Sequence, residues 1–419
     1  MNVCIVGSGA REHALALACA RTADVVVTPG NPGIQGRSPE GHTLGSTFAP
    51  PEEIEADLFV VGPEAPLVDG LADRLRAGGR LVFGPGAEGA RLEGSKAHMK
   101  QLAAAAGVPT ARFAVFDRCE DAVAHLRRSA GPYVVKTDGL AAGKGVLVTD
   151  DLARAEEDVA AKLSGVAFGV SGRRVVIEEA LAGREASLLA VCDGVRALAL
   201  PVARDYKRAL DGDLGPNTGG MGACSPVPFV SDEDLEAAMD RIVLPTLAEL
   251  RRRGVDYRGV LYAGLMLGDD GPRLVEFNVR FGDPETEVVL PRVAGDLAGL
   301  LAAAAGGHVS GTVGCAPDAA VCVIAAAKGY PAEPRRGDPI GGLDAAGAIE
   351  GVSLLHAGTC RGPDGVLRTD GGRVFAVTAV APTIDRARER AYKAVGAIEI
   401  DGVEYRHDIA APDSVRSAA

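Results

Sequence analysis

No apolar run in the 419 residues is long enough to cross a membrane. The start, Met1-Asn2-Val3-Cys4-Ile5-Val6-Gly7, lacks the basic segment and apolar stretch of a signal peptide and runs directly into a strand. The expectation from these two features is a chain of the cytoplasm or an equivalent reducing compartment. The eight cysteines include no C-x-x-C pair, and no histidine stands at metal spacing. This argues against structural zinc and a disulfide framework, and most cysteines are expected to be small core residues. A basic surplus is missing as well. The net charge of −12 argues against nucleic acid as main partner. It leaves room for small anions, because screening confines the global field to roughly 8–10 Å and a local group of Lys and Arg dominates inside a cleft. No Ser-His-Asp or Cys-His arrangement is readable, and the seven histidines form no cluster. They are taken as structural or solvated.

What is present is a globular composition, 47% hydrophobic and 24% charged, in a chain long enough for about two to four domains. Short apolar runs at Val3–Val6, Val25–Thr28, Leu58–Val61 and Leu81–Phe83 alternate with helical or irregular segments. That alternation predicts a parallel sheet with helices on its faces and ligands at the carboxyl ends of its strands. The first strand feeds Gly7-Ser8-Gly9-Ala10-Arg11-Glu12. Glu12 replaces the third glycine of a dinucleotide fingerprint, and no acid ends the second strand. The turn instead reads as a helix N-terminus suited to phosphate, with Arg11 beside it. Further on, Ser95 reads as a helix cap. Ser231 through Arg253 reads as one long helix kinked at Pro245, and Asp283-Pro284-Glu285 as cap, first helical residue and first-turn acid. A last unit carries strands at Val321–Ala325, Val352–His356 and Val374–Val380 and a helix from Thr383 to Val395. The tail after Pro412 is expected to fray.

Four segments are candidates for chemistry, each with a structural alternative: a solvated strand face, a flexible hairpin, solvation at a sheet edge and a mobile surface loop. In Val275–Arg280 the period of two puts Glu276, Asn278 and Arg280 on one face of a predicted strand: two hard oxygen donors for Mg²⁺ and a planar clamp for an oxyanion. Val134–Val148 is a strand, a glycine-rich loop and a strand. Gly139, Gly143 and Gly145 let amides approach an anion, and Lys136 and Lys144 supply charge. This predicts a hairpin lid over phosphates rather than a Walker loop. Glu178 and Glu179 end a strand, with Glu185 downstream, as a nucleotide's base and ribose would need. Gly215–Gly222 is dense in glycine and lies after Asp205 and Lys207, which could orient an amine and an anion.

In order, GSGAREHAL (Gly7–Leu15), VGPEAPLVDG (Val61–Gly70), LEGSKAHMK (Leu92–Lys100), KTDGLAAGKGV (Lys136–Val146), GPNTGGMGACSP (Gly215–Pro226), YAGLM (Tyr262–Met266), EFNVRFGDPETE (Glu276–Glu287), KGYP (Lys328–Pro331) and HAGT (His356–Thr359) span nearly the whole chain. With these segments the chain resembles the phosphoribosylamine–glycine ligases (glycinamide ribonucleotide synthetases), ATP-grasp enzymes of purine synthesis, in their single-function bacterial form. The resemblance implies a multidomain α/β and α+β protein. Residues 1–103 would form a parallel-sheet, pre-ATP-grasp domain that binds substrate. Residues 104–117 and 189–318 would form the ATP-grasp core, 118–188 its lid and 319–419 a small α+β domain.

It implies ligation of glycine to 5-phosphoribosylamine through glycyl phosphate, with ATP as co-substrate and Mg²⁺ or Mn²⁺ as cofactor, by a monomer. Lys96, Lys136, Gly143, Lys144 and Gly145 would contact ATP phosphates. Glu178, Glu179, Ala180 and Leu181 would line adenine, with Glu185 at the ribose. Glu276 and Asn278 would bind metal. Arg280, Asp205 and Lys207 would act in catalysis, and Asp283 with Asn217, Thr218, Gly219, Gly220 and Met221 would hold glycine and phosphoribosylamine. Gly9, Arg11 and Glu64 would bind the phosphoribosyl group. The strand Val260–Leu267 has no acid, so Glu276 would be the only protein carboxylate on the metal. Rivals are another ATP-grasp carboxylate–amine ligase or carboxylase, a nicotinamide oxidoreductase built on the first sheet, and a silent nucleotide-binding regulator.

Overall fold

The computed structural model describes residues 1–140, 145–165 and 173–412. The amino-terminal sheet has six strands in the order Gly36–Arg37, Thr43–Ser46, Asp24–Pro29, Asn2–Gly7, Leu58–Val61 and Val82–Phe83. Its pairings are parallel apart from the antiparallel edge strand Gly36–Arg37. Leu58–Val61 is buried at every position, as a parallel strand covered on both faces must be. The predicted strands therefore stand. The strands Gly36–Arg37 and Thr43–Ser46 on one side of the sheet are additional, too short and too polar to announce themselves by periodicity.

A four-stranded antiparallel lid sheet follows, in the order Phe113–Phe116, Val175–Glu179, Tyr133–Thr137, Val146–Thr149. Its apolar face takes Leu126 from the helix Cys119–Leu126 and Ala155 and Val159 from the helix Leu152–Leu163. Asp151 caps the second helix by accepting from the amides of Ala153 and Arg154. The central sheet is also antiparallel, in the order Ala197–Ala199, Arg184–Asp193, Arg258–Gly268, Gly271–Asn278.

A five-stranded sheet closes the molecule: Arg204–Asp205, Gly222–Ser225, Ala319–Ala326, Arg373–Ala381, Val352–His356. Two of its strands thus come from the segment around the glycine-rich loop. The helix Ile384–Val395, capped by Thr383, packs on it through Ala387, Ala391 and Ala394.

Two helix expectations change. Ser231 does cap its helix, with Asp234 reciprocating. The helix is not one kinked rod, however. It runs as α over Asp232–Ala238, as a wider π segment over Met239–Val243, and as α again over Leu244–Arg252. The π turn lies directly before Pro245, where the missing amide must be absorbed. At the second site, the helix is Thr286–Val289 with Glu285 in the capping position, so Asp283 is not the cap. Asp283 and Pro284 form a turn ahead of it, joined by a cis peptide bond. The lid residues Ala141–Lys144 and the tail after Pro412 lie outside the described residues.

Candidate active site

Glu276 sits in the strand Gly271–Asn278, opposite Gly264 of the neighbouring strand. A bulge between Gly264 and Leu265 skips Val275 in the pairing. The strand ends at Asn278. Val279 and Arg280 form a bend, so Arg280 does not continue the strand face as the alternation predicted. Burial works to raise the Glu276 pKa. Lys207, Lys136, Lys96 and Arg280 outweigh burial and hold it below the usual carboxylate value. Among the described residues neither the Glu276 nor the Asn278 side chain has a hydrogen bond or ion pair. An ionised carboxylate and an amide thus stand unengaged at the centre of four cations, a donor set that fits a hard divalent ion shared with phosphate oxygens. Among the described residues no group of three or more His, Cys, Asp or Glu could hold a metal alone.

Two of those cations stand at the seam with the four-stranded sheet Phe113–Glu179, one on each side of it. Lys136 lies at the end of Tyr133–Thr137, with Nζ 3.1 Å from a Glu178 oxygen and 3.4 Å from the Val275 carbonyl. Lys96, in the first turn of the helix capped by Ser95, donates to the Gly139 carbonyl at 3.0 Å. Glu178 is buried and pairs with Lys100 at 2.8 Å as well as with Lys136. Its carboxylate therefore holds the lysines in place, and the chain from Glu179 to Leu181 is what faces outward. Glu179 turns the other way, to Arg112 at 2.7 Å and Arg273 at 2.6 Å. Thr137 donates its amide to the Gly145 carbonyl at 2.8 Å, which closes the described part of the hairpin. Gly143 and Lys144 lie outside the described residues.

Beside Glu276 is a compact charged group. Lys207 Nζ is 2.7 Å from Glu185 and 3.6 Å from Asp205. Burial pushes the Asp205 carboxyl up to about 7. Lys207 opposes this, and Glu285, Glu185 and Glu276 reinforce it. Burial would lower Lys207, but Asp205 and Glu185 raise it well above its ordinary value. Burial beside other acids explains the first direction, and one ammonium held among those acids explains the second.

The remaining site residues converge from three sheets. Arg280 donates to Glu64 at 3.2 Å, Glu93 at 2.9 Å and the Phe281 carbonyl at 3.2 Å. Arg280 thus ties the amino-terminal sheet to the central one. Arg11 is buried and reaches the Phe281 carbonyl at 3.3 Å. A Cβ on Gly9 would lie 3.8 Å from an Asp283 oxygen, so the first turn faces the Asp283 bend.

That turn is not the open phosphate cradle its sequence suggests. The Glu12 carboxylate accepts the Gly9 amide at 2.6 Å and pairs with Arg11 at 2.6 Å. Cβ atoms at Gly7 and Gly62 would come within 2.5 and 2.1 Å of Glu12 atoms. The glycines make room for an anion, and the chain supplies that anion itself.

The glycine-rich loop is stitched down rather than loose. Thr218 donates its hydroxyl to the Lys207 carbonyl at 2.9 Å and accepts the Gly220 amide at 2.9 Å. Met221 donates its amide to the Tyr206 carbonyl at 2.8 Å. Sequence reasoning missed several contributors. Glu93 and Lys100 lie within quoted motifs but had no role. Tyr262 donates to Glu285 at 2.8 Å. Arg373 reaches Asp283 at 3.0 Å from the last sheet. The sequence signals for these residues were LEGSKAHMK for Glu93 and Lys100, YAGLM for Tyr262 and, for Arg373, a glycine pair before it.

Family profiles described as phosphoribosylglycinamide synthetase match the chain three times: the N domain over residues 1–93, the ATP-grasp (A) domain over 94–286 and the C domain over 320–412. The phosphoribosylamine–glycine ligase of Streptomyces coelicolor is 48% identical over 98% of this chain and 99% of that protein. The one of Caulobacter vibrioides is 45% identical over 98% and 97%. The crystal structure of the Thermotoga maritima phosphoribosylamine–glycine ligase superposes with a TM-score of 0.84 at 36% identity, covering 98% of this chain and all of that one. The N5-carboxyaminoimidazole ribonucleotide synthetase of the same organism shares the fold alone, with TM-score 0.62 and 18% identity over 95% and 99% of the chains. On these matches the chain belongs to the phosphoribosylglycinamide synthetase (phosphoribosylamine–glycine ligase) family of ATP-grasp enzymes.

Proposed function

We propose that the chain joins glycine to 5-phosphoribosylamine at the expense of ATP, forming glycinamide ribonucleotide, ADP and phosphate in purine synthesis. The observation that carries this reading is Glu276: an unengaged, ionised carboxylate ringed by Lys207, Lys136, Lys96 and Arg280. It stands where the lid, the central sheet and the glycine-rich loop meet. A carboxylate and an amide left unengaged among cations that neighbouring acids hold in place suit a polyphosphate with its metal. The glycine carboxylate oxygen attacks the γ-phosphorus and ADP leaves. The amine then attacks the carbonyl of glycyl phosphate and expels phosphate.

Lys96, Lys136 and Lys144 neutralise the transferring phosphate, and Gly143 and Gly145 let backbone amides approach it. Glu178 to Leu181 line the base and Glu185 takes the ribose. Glu276 and Asn278 would hold Mg²⁺ or Mn²⁺, which when bound offsets charge on the phosphate oxygens. Arg280, Lys207, Asp283 and the Asn217–Met221 loop orient glycine and the amine, with Gly9, Arg11 and Glu64 on the phosphoribosyl side. Asp205, with its pKa raised to about 7 by burial, is suited to take the proton that the attacking amine loses.

In the same reading residues 1–103 bind phosphoribosylamine, 118–188 form the lid over the core 104–117 and 189–318, and 319–419 close the site. The chain acts as a cytoplasmic monomer. The composition supports that compartment, no helix among the described residues is long and apolar enough to cross a membrane, and sedimentation tests the monomer. The deciding experiment is ADP release with each substrate omitted in turn. The reading requires release only with glycine and phosphoribosylamine both present. Release sustained by bicarbonate, or by another amine, would overturn it.

A further inference from the structure

Two side chains of the last sheet region grip one residue of the glycine-rich loop. The Gly219 amide donates to the Tyr330 hydroxyl at 3.1 Å. The Gly219 carbonyl accepts from Arg373 Nη1 at 2.6 Å. The same nitrogen reaches the Asp283 carbonyl at 3.1 Å, and Nη2 lies 3.0 Å from the Asp283 carboxylate. Both backbone groups of Gly219 are thus held, and the guanidinium joins them to the Asp283 bend.

Glycine makes the grip possible at three points. A Cβ on Gly219 would stand 3.1 Å from Arg373 Cζ. One on Gly372 would stand 2.3 Å from the Tyr330 ring, and one on Gly220 2.4 Å from Pro284 Cδ. Arg373 begins the strand Arg373–Ala381, which has paired neighbours on both sides, so its guanidinium extends from a rigid base. The loop itself continues into Gly222–Ser225, a strand of the same sheet.

We propose that Arg373 and Tyr330 are positioning residues. They seat the Asn217–Gly222 loop against Asp283, so the carboxy-terminal unit sets the geometry of the glycine and phosphoribosylamine subsites without supplying a reacting group. This rests on the reading of that loop as the substrate loop. The test uses the full chain with Arg373→Lys, Tyr330→Phe, the double variant, and Gly219→Ala as an independent wedge. Two readouts are taken: KM for each substrate from ADP release, and hydrogen exchange of the peptide spanning residues 217–222.

Loss of a charge-assisted contact in Arg373→Lys should raise KM for glycine or phosphoribosylamine about tenfold, with KM for ATP within about twofold. Tyr330→Phe should do the same more weakly. Exchange in the loop should quicken while Arg184–Asp193 is unchanged, and the double variant should be less than additive because both groups hold one residue. Unchanged exchange in both single variants would overturn the clamp. A parallel rise in KM for ATP would overturn it too, since that marks general damage. Faster exchange with unmoved KM values would leave the clamp standing but overturn its role in the subsites, and with it the reading of the loop.

Discussion

Across the seam between the lid sheet and the body, the contacts are charged or polar. Lys100 meets Glu178, Arg273 meets Glu179, and Lys96 donates to the Gly139 carbonyl. Ser95 and the Ala97 amide both donate to Asp138. Across the seam between the amino-terminal helix Ala10–Cys19 and the closing sheet, Ala14, Leu15, Ile324, Leu355 and Ala376 belong to one apolar cluster. The lid keeps a small core of its own, from Ala122 to Ile177. Polar contacts trade for water or ligand oxygens at a net ~0.5–1.5 kcal/mol each. An apolar seam has no such substitute, because each large side chain uncovered costs about 1.5–3 kcal/mol. The polar seam can therefore exchange its contacts for water or ligand oxygens at less cost than the apolar seam can.

The sharpest test removes the group that both sides serve. Glu276→Ala should reduce ADP release about a thousandfold or more, since metal and phosphate charge stabilisation is worth several kcal/mol, while the melting temperature holds. Near-normal turnover would sink the metal assignment. Next come paired core truncations. Ile324→Ala in the shared cluster should lower global stability by about 2–5 kcal/mol in a denaturant titration. Ile177→Ala in the lid core should quicken exchange in the lid strands and spare the central sheet. Equal effects on both regions would erase the distinction.

The two seams should also answer to opposite ends of the pH scale. His356 donates its amide to His13 Nδ1 at 3.0 Å in the body seam. Burial, then His356, lowers His13 to about 3, and burial, then Arg361, lowers His356 to about 4. Both stay neutral when folded. Their contribution is full above the unfolded value near 6.5 and is lost as pH falls through 4 and 3. Melting temperature against pH should fall less steeply over that window in His356→Gln. The smallest effect concerns Lys100. Burial lowers it to about 8, against the pull of Glu178 and with the help of Lys136. The folded state thus binds fewer protons than the unfolded chain between about 8 and 10.5, so lid stability should rise across that range. Lid exchange in Lys100→Met should show no such rise.

Much of this was legible in the residues. Continuous apolar runs gave the parallel sheet, and alternation gave Glu276 and Asn278 on one face. Arg280 was misplaced because period two cannot foresee where a strand bends out of the sheet. Asp283 was misread because a cap and a turn share the same residue types, and only Arg373, 90 residues away, decides between them. The Gly219 clamp joins residues 154 apart, and no local pattern encodes such a meeting.

Glu12 has a consequence for the rival reading of the first sheet. Its carboxylate is a tethered ligand, held three residues from the Gly9 amide it occupies. A tether that short gives an effective concentration of about millimolar or above. A free dinucleotide offering its pyrophosphate to this turn would compete against an anion that never diffuses away. The glycine turn is in this sense closed to a dinucleotide's pyrophosphate by occupancy rather than by shape.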